Sequence, residues 1–125
     1  MLRMKPGAVL GTPAPAGFRL LAATDRASRL VRVDLTLTCG TDSHGPDDPH
    51  TRGEAYDVRT RDLTASQAQR VLRAVLTDLC DEDGDQIVDT SGGFATAHFF
   101  GILEADHLHL QRRQGTVYAS DARWA

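Results

Sequence analysis

The sequence predicts an α+β fold: a small antiparallel sheet with flanking helices. Three observations carry this expectation. Val31, Val33, Leu35 and Leu37 alternate with Arg32, Asp34, Thr36 and Thr38, and Leu108 and Leu110 alternate with His107 and His109. A period of two marks a strand with one buried face. Val71, Leu72, Val75, Leu76 and Leu79 instead form one stripe at helical spacing. Finally, the order of elements is helix, strand, strand, helix, strands, which suits helices packed on an antiparallel sheet better than strict alternation.

Each element has a local reason. Residues 1–15 contain Pro6, Gly7, Gly11, Pro13 and Pro15 and read as a loose arm, leaving 16–125 as a single domain. Phe18, Leu21, Ala22 and Leu30 predict a first helix, and the alternation from Val31 predicts a strand directly after it. Cys39 to Pro49 is a polar loop with Gly40, Gly45, Pro46 and Pro49. Residues 53–60 read as a second strand, with Ala55 and Asp57 on one face and Tyr56 on the other. Thr64 and Gln67 have the spacing of a capping box and open the second helix, which the acidic turn Asp81–Asp85 stops. Gln86–Asp89, His98–Leu103 and His107–Arg112 complete the sheet, the first two separated by Ser91-Gly92-Gly93.

The chain has 125 residues and a formal net charge of −3. A domain of this size buries roughly two-thirds of its unfolded surface and needs no disulfide scaffold. Hydrophobic residues make up 41% and charged residues 25%, an ordinary globular balance. One lysine, Lys5, stands against thirteen arginines, and fourteen aspartates against three glutamates, a bias of GC-rich codons. The acidic balance and the lack of a basic run argue against a nucleic-acid partner. Cys39 and Cys80 are isolated and expected to be free, buried thiols, and the absence of a CxxC pair argues against a cysteine zinc site. No apolar run reaches the length of a signal sequence or a membrane span, so synthesis in the cytoplasm without membrane insertion is expected.

Five histidines are a slight excess. Two local patterns use them: His50-Thr-Arg-Gly53-Glu-Ala55-Tyr-Asp57, and Asp106-His107-Leu-His109. Gly53 permits a bend that lets His50 at a loop end meet Asp57 on the following strand. His109 on a neighbouring strand would supply a third ligand. Two imidazoles and a carboxylate with one open position form the arrangement of a catalytic zinc.

These residues carry a resemblance. H-x-x-G-x-A-x-D, followed by [DE]-x-x-H, resembles the zinc peptidases that include D-alanyl-D-alanine carboxypeptidases and phage L-alanyl-D-glutamate endopeptidases, which share the hedgehog/D,D-peptidase fold. His50, Gly53, Ala55 and Asp57 match all four fixed positions of the first half. The resemblance spans about residues 16–112 and is nearest to short phage-type members. It implies Zn²⁺ held by His50, Asp57 and His109, with Asp106 as general base and His107 as the alternative base. It further implies hydrolysis of peptidoglycan stem peptides by a phage or prophage product acting at the cell wall. The other reading is an inactive zinc-binding component of a virion or cell wall.

Two positions depart from the family pattern. Asp48 stands where a serine is common, and the turn Cys39-Gly40-Thr41-Asp42 lacks the family's arginine. The oxyanion would then rest on the metal and on Arg52 or Arg59; losing one such donor typically costs ~10²–10³ in rate. In a regular strand Asp106 and His109 point to opposite faces, so Asp106 reaches the site only from a turn before the strand. His44 and His98 read as ordinary histidines. Asp81–Asp85 imitates a calcium loop, but Gln86 and Gly92 occupy the positions that require Gly and Glu, so it reads as a solvated turn.

Overall fold

The computed structural model describes residues 1–7, 11, 13–39, 53–90 and 93–113, with only the backbone of Cys39. Its elements are β1 (Leu2–Met4), α1 (Pro15–Val31), β2 (Leu35–Cys39), β3 (Ala55–Arg59), α2 (Ala65–Asp83), β4 (Val88–Asp89), β5 (Phe94–Ala95), β6 (Phe99–Leu103) and β7 (His107–Arg112). The fold is α+β, as expected. The sheet is larger than expected and mixed: seven strands in the order β1-β2-β3-β7-β6-β5-β4.

The mixed character comes from the N-terminal segment. Leu2–Met4, in the stretch whose prolines and glycines predicted a loose arm, pairs parallel with β2. Neighbouring parallel strands need a long crossover, and α1 supplies it. The segment is tied along its length. Leu2 N–H donates to Asp25 Oδ1 at 3.1 Å, and Lys5 N–H donates to the Leu37 carbonyl at 2.8 Å. Arg3 meets Asp34 at 3.0 Å. The Leu2 N–H, with Arg29, holds the Asp25 carboxyl below its ordinary value.

α1 runs longer than expected and takes Val31 from the predicted strand. Leu20, Ala23, Ala27 and Val31 all bury on one helical face, so Val31 satisfies the helix before the alternation begins. Arg32 then adopts φ 63° and its N–H returns to the Ser28 carbonyl, ending the helix. At the start of α2 the capping box is present: Gln67 N–H donates to Thr64 Oγ1 at 3.1 Å and Thr64 N–H to Gln67 Oε1 at 2.9 Å. Its other end is closed by Gly84 at φ 73°, within the acidic turn.

Both helices contribute to one core over one face of the sheet. Leu20, Ala27, Leu72, Val75, Leu76 and Leu79 meet Leu35, Leu37, Tyr56, Val58, Phe99, Leu108 and Leu110. Burial pushes the Tyr56 phenol up to about 12. Cys80 is free and buried, as expected, and burial, with Asp85 nearby, pushes its thiol up to about 12.

Gly17 and Gly53 lock α1 to the beginning of β3. Gly53 has φ 70°, the bend its place in the motif predicts. Its carbonyl accepts from Ala14 N–H at 3.2 Å and from the Tyr56 hydroxyl at 3.3 Å. A Cβ at Gly17 would overlap that carbonyl and come within 2.9 Å of the Tyr56 hydroxyl. Gly17→Ala therefore forces α1 off the sheet, and overpacking of this kind costs about 1–3 kcal/mol. Urea denaturation should show a loss in that range; an unchanged midpoint would show that the contact gives way freely.

Candidate metal and catalytic site

The sheet has a second face, turned away from the helices, and the candidate residues lie on it. β3 and β7 pair antiparallel, with Tyr56 opposite Leu110, Asp57 opposite His109, Val58 opposite Leu108 and Arg59 opposite His107. Parity then sorts the side chains: Tyr56, Val58, Leu108 and Leu110 go to the core, and Asp57, Arg59, His107 and His109 go to the other face. Tyr56 faces away from Asp57, as predicted.

Asp57 and His109 meet directly. Asp57 Oδ1 lies 2.9 Å from His109 Nδ1, and both side chains are 16% exposed. On the far side of the ring, His109 Nε2 lies 2.7 Å from Gln111 Oε1. In the neutral tautomer that donates from Nε2 to this oxygen, Nδ1 presents its lone pair to a carboxylate oxygen. Two lone pairs at that separation need a proton or a cation between them. With the proton on Nδ1 the contact is an ordinary hydrogen bond to Asp57; with it on Nε2 the pair could hold a cation, and Gln111 would then be the outer hydrogen-bond partner that ligating histidines usually have. His50, the third predicted ligand, lies outside the described residues, as do His44, Asp48, Arg52 and Gly40–Asp42.

Asp106 lies in the bend that precedes β7, where parity required it to be. Its Oδ1 is 2.8 Å from His107 Nδ1. His107 Nε2 in turn lies 3.9 Å from Asp57 Oδ1 and 3.4 Å from Glu104 Oε1. Partial burial pulls the His107 imidazole down, but the Asp106 hydrogen bond and the charges of Asp57 and Glu104 outweigh it and hold it above its ordinary value. The same hydrogen bond holds the exposed Asp106 carboxyl below its ordinary value. Asp57, Asp106 and His107 line one open cavity of about 290 Å³, together with Lys5, Thr38, Arg59 and Arg61.

A second group of donors lies at the other end of α2. Asp83, Asp85 and His98 bring one ligand atom each within 4.8 Å of one another, the one possible three-residue metal-binding group among the described residues. The sequence predicted a solvated turn and an ordinary histidine here; the turn at Gly84 and the β5–β6 connection instead bring them together. Asp85 Oδ2 accepts the Ala97 N–H at 3.2 Å, which fastens the turn beside His98. Asp83 already has a cation: Arg19 Nη2 lies 2.9 Å from its Oδ1. Arg19 Nε lies 2.7 Å from Glu82 Oε1 without hydrogen-bond alignment, and its guanidinium stacks 5.0 Å over Phe99.

No protein-family model matches this chain, and no curated protein or solved structure matches it either. The site thus rests on its own residues. Sequence reasoning did not place Thr38, Gln111, Glu104, Lys5 or Arg61 at the site. Gln111 had a readable signal, since it is two residues past His109 on the same strand face. Lys5 had none, because its place depends on the parallel pairing of a three-residue strand.

The Asp106–His107 bond has a direct signature. In metal-free protein, Asp106→Asn removes a charge and an acceptor that favour the imidazolium, so the His107 titration midpoint should fall. NMR titration of the ring protons reads this; a midpoint that stays or rises would show that the two residues do not interact in solution.

Proposed function

We propose that this protein is a zinc-dependent peptidase acting on peptidoglycan stem peptides, on a fold of the hedgehog/D,D-peptidase kind. The observation that carries the reading is the Asp57–His109 contact at 2.9 Å, backed by Gln111. It joins the two halves of the motif across neighbouring strands. His50 would complete the ligand set.

Zinc supplies Lewis acidity that makes water nucleophilic at neutral pH. The chain's own residues then handle the proton. His107 Nε2 faces Asp57 and is placed to accept a proton from the attacking water and return it to the leaving amine. Asp106 holds the opposite ring nitrogen, fixing the tautomer and favouring the charged imidazole that forms. This divides between two residues the role that the resemblance gave to Asp106. Arg59, directly across the strand pair from His107, is the sheet-borne cation that lines the same cavity.

Metal analysis and a muropeptide digest test the reading together. Wild type should bind one zinc strongly, and Asp57→Ala or His109→Ala should abolish that binding while His98→Ala leaves it intact. Gln111→Ala should weaken zinc about 10–100-fold. His107→Ala and Asp106→Ala should keep zinc and lose activity, the former by more; the reverse order would assign the base to Asp106. A protein that binds zinc yet cuts no stem peptide would be a wall- or virion-binding component instead. One that binds no zinc refutes both.

A further inference from the structure

The turn that closes α2 meets the connection between β5 and β6, and three metal-ligating side chains converge there. Asp83 ends α2, Asp85 follows the Gly84 cap, and His98 directly precedes β6. One ligand atom from each lies within 4.8 Å of the others. Two observations set this group apart from an exposed acidic turn. The first is an orphaned oxygen. Asp85 Oδ2 accepts the Ala97 N–H at 3.2 Å, and the remaining oxygen, Oδ1, is buried without a hydrogen-bond partner among the described residues. Asp85 takes part in no ion pair among them either, and the Cys80 thiol beside it is neutral. A buried carboxylate oxygen with neither donor nor cation is costly, and a bound ion would remove that cost. The second observation is access. Asp83 and His98 line one open cavity of about 280 Å³, through which a hydrated ion can reach the group.

We propose that Asp83, Asp85 and His98 form a second metal site, which takes a divalent first-row transition ion of the zinc or manganese kind. Oxygen and nitrogen ligands stand ~2.0–2.2 Å from zinc, so three such atoms this close together need only small side-chain rotations to meet one ion. The imidazole decides the class of ion. Calcium and magnesium take oxygen ligands, whereas imidazole suits the transition ions. Water from the cavity fills the remaining positions. Arg19 is the resident competitor, since its Nη2 lies 2.9 Å from Asp83 Oδ1. That contact leaves Oδ2 for the ion, and Arg19 keeps Glu82 as a second carboxylate, at 2.7 Å from its Nε. An ion here ties the end of α2 to β6, the strand next to β7 in the sheet. Its role is to hold the fold together. None of its ligands lines the cavity beside Asp57, so the site does not depend on the peptidase reading.

The test is a calorimetric titration of Zn²⁺ into the full chain carrying Asp57→Ala, which removes a ligand of the other site. That protein should still bind one equivalent of zinc. Adding His98→Gln or Asp85→Asn should weaken the binding by more than about tenfold, since even the outer partner of a ligand is worth that much. Asparagine at position 85 keeps an acceptor for the Ala97 N–H, so the turn stays fastened in that variant. Zinc should raise the thermal midpoint of the Asp57→Ala protein but not that of the doubly substituted ones, and excess calcium should not displace it. A second measurement needs no variant: Mn²⁺ added to metal-free wild type should broaden the NMR signals of the His98 ring and the Ala97 amide. Absence of zinc uptake by Asp57→Ala together with unbroadened His98 signals in wild type overturns the proposal. Uptake that both His98→Gln and Asp85→Asn leave unchanged overturns it as well, since the zinc would then be held elsewhere.

Discussion

The pairing register of β3 with β7 is the constraint on which the rest depends. Tyr56, Val58, Leu108 and Leu110 must all face the helices, and each buried side chain of this size contributes roughly 1.5–3 kcal/mol. A slip of one residue by either strand would turn its two core side chains towards water and drive Asp57 or the histidines into the core. An unpaired charge there costs more still. The polar face therefore has no say in the register. Asp57 and His109 are set opposite each other by flanking residues whose side chains point to the other face, and the site inherits its rigidity from the core beneath it.

The lock between Gly17 and Gly53 acts on the same strand from its other end. The Gly53 carbonyl is shared by Ala14, Tyr56 and the bare face of Gly17, so α1 can lie against the beginning of β3 only where no side chain intervenes. Tyr56 belongs to both systems: its ring is in the core and its hydroxyl is on the Gly53 oxygen. The position of Asp57, one residue further on, is thereby fixed along the strand as well as across the sheet. A motif glycine that the sequence explains as a bend also serves as a packing surface for a helix about forty residues earlier.

The legible features were those decided by neighbours in sequence. Parity named the faces of Asp57, His107 and His109, and the Thr64–Gln67 spacing placed the second helix correctly. The bend required for Asp106 follows from the same parity. Features that depend on distant partners were not legible. β1 is too short to carry a pattern and exists because β2 offers it an edge. Val31 fits both a helical and an alternating pattern, and only the burial of Ala27 and Ala23 beside it decides for the helix. The Asp83–Asp85–His98 group joins a helix end to a hairpin, and no spacing rule links residues brought together in that way.

Charge completes the division of labour across the sheet. The groups that must hold a fixed geometry, Asp57 and His109, stand in the middle of paired strands and are mostly buried. There a small error in position would matter most, and regular strands hold side chains more tightly than loops do. Lys5 and Arg61, which line the same cavity as Asp57, stand just past β1 and just beyond β3 and are exposed. His107 lies between them. It is borne on a strand but tied to Asp106 in the preceding bend, so its ring is held at one nitrogen while the other faces Glu104 and Asp57. The proton-carrying role proposed for His107 needs that combination: fixed enough to face Asp57, and polar enough around it to change charge without leaving the face.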